Sequence, residues 1–163
     1  MERSVVEKLK RIPLFADIVH SDEYMERLQA ICWTKSVAGG KTVIQEGERG
    51  SEMYIMLSGR VEIRRRTRAG DDYTVTKLRA EDNVFFGEMA LIDDDLRSAT
   101  IVTTVDSEFL VVRKDDFIRL GDQHPQIALP ITREIAKILA SRLRKTTGDM
   151  LTIFDALVAE LQA

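Results

Sequence analysis

The residues best equipped for chemistry stand together in Phe86-Gly87-Glu88-Met89-Ala90-Leu91-Ile92-Asp93-Asp94-Asp95-Leu96-Arg97-Ser98-Ala99-Thr100. Gly87 lets another backbone approach closely, helix formers follow it, and Arg97 precedes a run of small residues. Unpaired N–H groups at a helix start point outward together and the helix dipole favours an anion there, so Gly87 to Ala90 supply candidate main-chain donors. Arg97 adds a permanent positive charge whose paired N–H groups match phosphate oxygens. Glu88 would repel such an anion unless it met hydroxyls, which makes it a sensible acceptor for a sugar hydroxyl attached to the same phosphate. Each residue alone also has a plainer role: Arg97 in a salt bridge with Asp95 or Glu88, and Glu88 as a helix N-terminal acid worth about 0.3–1 kcal/mol. Asp93 to Asp95 lacks the alternating ligands and later glutamate of a calcium loop, and reads as a solvated loop.

The elements that must position this segment are legible on both sides of it. Val5, Leu9 and Ile12 at helical spacing predict a helix over Ser4–Ile12, ended by Pro13, and Met25, Leu28 and Ile31 predict another over Asp22–Trp33. From Trp33 to Val112 short runs rich in Val, Ile, Tyr, Phe and Thr alternate with glycines. The predicted strands are Trp33–Val37, Thr42–Gln45, Glu52–Leu57, Arg60–Arg66, Tyr73–Leu78, Ser98–Thr104 and Glu108–Arg113. Seven or eight strands so closely spaced imply a sandwich or jelly-roll barrel. Phe86–Leu96 reads as a short helix interrupting it. Lys114-Asp115-Asp116 opens a further helix with an acidic first turn. Beyond Pro125 and Pro130, Ile131, Ile135, Ile138, Leu139 and Leu143 predict C-terminal helix. Gly148 is expected to break or bend it, before a second stripe of Met150, Phe154, Leu157 and Leu161. That stripe either packs onto the domain or forms a dimer helix, and packing is the default.

The chain's 163 residues suit one domain: N-terminal helices over 1–32, a β-barrel over 33–113 and C-terminal helices over 114–163. The composition is 44% hydrophobic and 31% charged, and no stretch approaches the roughly 20 apolar residues of a membrane span. The opening MERSVVEKLKRI lacks a signal peptide's apolar core, and one cysteine, Cys32, cannot make an internal disulfide, so a cytoplasmic setting is expected. A net charge of −3 gives no general attraction for nucleic acid. Arg64-Arg65-Arg66-Thr67-Arg68 precedes the Gly70 turn with its neighbours on alternate faces and no stacking platform, and so reads as a solvated hairpin. His20 and His124 lie outside the strands, which argues against a catalytic pair, a metal site or a metal-dependent barrel enzyme. Cys32 and Trp33 read as core residues where helix meets barrel.

The central segment resembles the phosphate-binding cassette of cyclic nucleotide-binding domains, in the form F-G-E-[LM]-A-L, a short loop, then P-R-[AST]-A-[TV]. Val43 to Ile63 resembles that family's second signature, in which glycines close tight turns between strands, and Leu9 to Phe15 resembles its N-terminal lead-in. The likeness covers about residues 9 to 145. It implies a mainly β jelly roll (a double-stranded β-helix) with short N-terminal helices, a cassette helix within residues 86–100, and C-terminal helices. It further implies that the main chain of Gly87, Met89 and Ala90 meets the cyclic phosphate, that Glu88 accepts from the ribose 2′-hydroxyl, and that Arg97 pairs with the phosphate. Ser98 and Ala99 add donors, and Phe86 and Thr100, at the cassette's two ends, complete the expected ligand-binding set. The ligand implied is cAMP or cGMP, bound without metal or cofactor and without catalysis, while the helix over Pro130–Lys145 closes over the base. The output partner is not in the sequence.

Three features depart from the family pattern. Leu96 stands where proline is usual, Ser51 where aspartate is usual, and the three loop aspartates bring charge near the phosphate. The acidic loop at most reduces affinity, because exposed charges beyond about 8 Å are screened at physiological salt. Two further readings compete. A catabolite-activator-type regulator needs a helix-turn-helix, and the residues after Lys145 are too few and too acidic for one. A degenerate domain serving as an interaction or dimerisation module would have lost Glu88 or Arg97, and this chain keeps both.

Overall fold

The computed structural model describes residues 2–94 and 96–162. Helix α1 spans Glu2–Lys10, a 3₁₀ turn follows at Pro13–Ile18, and α2 spans Asp22–Ala30. Ser21 caps α2, its hydroxyl accepting from the Tyr24 N–H at 3.3 Å, and Asp22 and Glu23 complement the dipole. The sequence carries α2 on to Trp33, but the chain is already extended at Cys32, where pairing with Val112 begins β1. Ile12, Leu14, Phe15 and Ile18 are all buried around the Pro13 turn, so the lead-in fills the core without being one continuous helix.

Among the described residues eight strands follow: β1 (Cys32–Val37), β2 (Thr42–Ile44), β3 (Glu52–Ser58), β4 (Arg60–Arg66), β5 (Asp72–Arg79), β6 (Phe85–Phe86), β7 (Thr100–Thr103) and β8 (Ser107–Arg113). They form two antiparallel four-stranded sheets, ordered β1-β8-β3-β6 and β2-β7-β4-β5. This is the jelly-roll architecture expected from the strand spacing. Strands β3 and β8 are apolar on both faces. Tyr54, Met56, Phe109 and Val111 point between the sheets, meeting Ile44, Val61 and Ile101. Met53, Ile55, Leu110 and Val112 point the other way, onto Leu9, Phe15, Met25, Ile127, Ile131 and Ile135 of the helices. One sheet is thus sandwiched between its partner sheet and a helical layer, which is why its central strands read as unbroken hydrophobic runs.

Two departures from the predicted elements bear on the site. Phe85–Phe86 is a strand, paired with Ile55 and Tyr54, and the cassette helix is a single 3₁₀ turn, Glu88–Leu91. Strand β7 starts only at Thr100, which leaves Ser98 and Ala99 in the cassette's irregular end.

Helix α3 spans Lys114–Gln123, and α4 runs without interruption over Pro125–Leu161. The expected break at Gly148 is absent. A glycine in a helix costs about 1 kcal/mol, and the hydroxyls of Thr147 and Thr152 accompany the turn by donating to the carbonyls of Leu143 and Gly148. Pro130 is also tolerated, because buried Ile127, Ala128, Ile131 and Ile135 flank it and hold the helix against the domain. The 37 residues of α4 make a rod of about 55 Å. Its second stripe does not pack: Met150, Phe154, Leu157 and Leu161 are 53–85% exposed. Among the described residues, no helix is long and apolar enough to cross a membrane.

Candidate functional site

Arg97 is fixed first through its backbone. Its N–H donates to the Glu48 carbonyl and its own carbonyl accepts from the Gly47 N–H, both at 2.9 Å, next to the Arg49–Leu96 bridge. The turn between β2 and β3 therefore grips the end of the cassette. The side chain then runs over Gly50, where a Cβ would lie 2.2 Å from Nε, a contact that only glycine permits. At its tip Nη2 donates to the Glu52 carbonyl at 2.7 Å and Nη1 to the Gly87 carbonyl at 3.4 Å. Gly87 has φ +75°, and a Cβ there would stand 2.9 Å from Nη1 and 3.0 Å from the Glu52 oxygen. Glycines 50 and 87 thus make the slot in which the guanidinium lies.

Above this slot is a cavity of about 170 Å³ whose walls include Gly87, Met89, Ala90, Arg97, Ser98 and Ala99, with Ile44 and Ile101 behind. The structure brings these six predicted residues together. Three other predicted residues stand outside the cavity lining. Phe86 is in the barrel core, stacked on Tyr54 with ring centroids 5.4 Å apart. Thr100 uses its hydroxyl to accept from Gln45 Nε2 and the Glu46 N–H at 3.1 and 3.0 Å, which ties the cassette's end to the residues just after β2. Glu88 is 2% exposed, and its Oε1 accepts from Nη1 of Arg142 on α4 at 2.5 Å. The Ala90 N–H, expected to face an anion, instead donates to the Gly87 carbonyl at 3.1 Å and closes the 3₁₀ turn.

The electrostatics of the slot centre on the Arg97 guanidinium. Burial lowers the pKa of Arg97 from its ordinary value, opposed by the field of Tyr54, Glu52 and Glu88. The nearest carboxylate on the strand, Glu52, is turned to the Tyr54 hydroxyl, which donates to it at 2.6 Å, and to Arg113 at 3.7 Å. Burial and that carboxylate together raise the Tyr54 phenol well above its ordinary value. A half-buried guanidinium resting on main-chain carbonyls has lost part of its hydration, and an incoming anion supplies a charged partner in its place.

The acidic loop resolves into separate roles. Asp94 pairs with Lys114 of α3 at 2.6 Å, and Lys114 also donates to the Asp93 carbonyl at 3.1 Å. Asp93 lines the cavity, with Oδ1 accepting from the Asp94 N–H at 2.7 Å. Asp95, named as one candidate partner of Arg97, lies outside the described residues. The basic hairpin is a set of surface pairs, Arg64 with Glu62, Arg65 with Glu46 and Arg66 with Asp72. Cys32 is inert at its junction, its thiol donating to the Leu28 carbonyl at 3.2 Å and pushed by burial up to about 12.

Sequence reasoning missed Arg142 and Lys114. Arg142 had a signal: it continues the inward stripe of Ile131, Ile135 and Ile138 at the next helical step, where a charge needs a partner. Lys114 gives no such signal, since in sequence it is only the start of a helix with an acidic first turn.

The family described as "Cyclic nucleotide-binding domain" matches residues 34–124. Among curated relatives, the "Cyclic AMP receptor protein" of Thermus thermophilus is 33% identical over 106 residues, 65% of this chain and 46% of the relative. The "cAMP-dependent protein kinase regulatory subunit" of Yarrowia lipolytica is 32% identical over 112 residues, 69% of this chain and 28% of the relative. The chain thus spans less than half the length of each. Among solved structures, the catabolite activator protein of Thermus thermophilus superposes with a TM-score of 0.74 at 28% identity, over 85% of this chain and 61% of that one. The cAMP-bound regulatory domain of Toxoplasma gondii protein kinase A, at TM-score 0.65 and 20% identity over 72% of this chain and 43% of that one, shares the fold. The matched residues take in both signature stretches, the Arg97 slot and the strands that build it, and the chain belongs to the cyclic nucleotide-binding domain family.

Proposed function

We propose that this chain is a regulatory sensor that binds cAMP or cGMP in the cavity beside Arg97 and releases it unchanged. The observation that carries this is the Arg97 slot: a half-buried guanidinium held on two main-chain carbonyls beside a cavity walled by Gly87, Ala90, Ser98 and Ala99. The cyclic phosphate pairs with Arg97, and the Ser98 hydroxyl and nearby amides complete its shell. The sugar hydroxyl is assigned to Glu88. Neither histidine lines this cavity, and among the described residues its lining carboxylate, Asp93, accepts from the Asp94 amide, which supports binding without turnover. The working unit is the barrel over 33–113 with its flanking helices. Exposed Met89, Ile92 and Leu96 offer an apolar rim onto which α4 closes over the base, shifting the population between two helix positions. The signal leaves through the exposed stripe of α4, to a partner protein or a second copy of the chain.

Thermal unfolding with cAMP, cGMP and their linear monophosphates tests this reading. At about 100 times its dissociation constant a cyclic ligand adds about 2.7 kcal/mol and raises the midpoint by several degrees. A shift confined to one cyclic form also names the base. No shift at millimolar ligand would overturn nucleotide binding and leave the interaction module as the reading.

A further inference from the structure

Glu88 is almost fully enclosed, and what stands over its carboxylate is Arg142, which reaches it from 54 residues further along the chain. The pair is asymmetric: the glutamate side chain is 3% exposed and the arginine side chain 58%. Arg142 also marks a boundary in α4. Before it, Ile135 is buried and Ile138 and Leu139 are half-buried; from Ser141 onward every described residue except Val158 is exposed. The contact therefore joins the cassette to the first turn of the helix that has left the domain.

We propose that Arg142 is a ligand-displaceable latch, a specificity residue that holds Glu88 in the free protein and yields it to the sugar hydroxyl of the bound nucleotide. The inference rests on the nucleotide-binding reading above. With the carboxylate so enclosed, the side covered by the guanidinium is the approach open to a hydroxyl, so the two donors compete. A ligand carrying the hydroxyl breaks the ion pair and frees α4 at the turn where it departs from the domain. A ligand lacking the hydroxyl leaves the latch closed. Competition of this kind makes the free state more stable and the affinity correspondingly lower, and it ties the chemistry of the sugar to the position of the helix.

The test is calorimetric titration of the wild-type chain, Arg142→Gln and Arg142→Lys with cAMP, cGMP and 2′-deoxy-cAMP. Arg142 is exposed, so both substitutions leave the core intact. The latch predicts that Arg142→Gln binds the ribose ligand about tenfold more tightly than wild type, because unpairing the enclosed carboxylate penalises only the free state. Arg142→Lys stays within about threefold of wild type, and the gain vanishes with 2′-deoxy-cAMP. Binding by Arg142→Gln that is equal to or weaker than a measurable wild-type affinity overturns the latch while the nucleotide site stands. Absence of binding by all three proteins overturns both.

Discussion

The slot around Arg97 and the outer half of α4 are built on opposite principles. The slot is held by backbone bonds to Gly47 and Glu48, by carbonyls at Glu52 and Gly87, and by two glycines whose missing side chains make its walls. The outer half of α4 extends beyond the core, with Leu143, Met150, Leu151, Ile153 and Phe154 each 59–68% exposed, and Arg142 ties its root to Glu88. A site that must recognise a small anion gains from being in place before the ligand arrives. On the proposed function, an element that reports binding needs two positions of similar stability, and the exposure of outer α4 with its root held by the Arg142 contact suits that role.

Breaking the helix at its inner half gives the largest effect. Ile135 is fully buried, so Ile135→Ala costs about 2–5 kcal/mol in chemical denaturation, whereas Phe154→Ala, at 62% exposure, stays within about 0.5 kcal/mol. Equal costs at the two positions would mean that the outer stripe is packed after all. Gly50→Ala comes next. Its Cβ collides with Nε and pushes the guanidinium out of its slot, so cyclic nucleotide affinity falls about tenfold, roughly the value of one charged hydrogen bond, with less than about 1 kcal/mol lost in stability. Gly148→Ala acts in the other direction. Nothing lies within 4 Å of the added methyl, and the helix gains about 0.5–1 kcal/mol without a change in affinity, read by circular dichroism on heating. The smallest effect is at the acidic loop. Lys114 holds the Asp94 carboxyl below its ordinary value of 3.8, so the pair is complete at pH values above that and is lost only as acid carries the pH down through the lowered value. At neutral pH, Asp94→Asn leaves nucleotide affinity within about twofold in a direct titration, since the charge faces α3 and not the phosphate.

The barrel was legible because its strands obey local rules. Arg60–Arg66 is the same segment in sequence and structure, and six other strands match within two residues. The two-residue β6 was not legible, because its pairing with Ile55 and Tyr54 is set by chain reversal and not by any periodicity. Arg97 could be read as an anion ligand from its type and neighbours, but the slot that seats it comes from Gly50 and the Glu52 carbonyl, about 45 positions away, and main-chain acceptors leave no trace in side-chain pattern. For α4, the penalty at Gly148 suggested a break and the helix was expected from Pro130, whereas buried Ile127, Ile131 and Ile135 carry the helix through Pro130 and the open space around Gly148 lets the helix run on at only the glycine's own cost. The Glu88–Arg142 pair was hidden for a related reason: both ends were visible in the sequence, but only the path of α4 brings them together.

The measurement that bears most directly on the central claim is calorimetric titration of cAMP and cGMP into the wild-type chain and into Arg97→Ala. The account predicts saturable binding of at least one cyclic nucleotide by the wild type, and a loss of about ten- to a hundredfold in Arg97→Ala from removal of a charged hydrogen-bond pair worth about 1.5–3 kcal/mol. Equal affinity in the two proteins would contradict the assignment of Arg97 as the phosphate ligand.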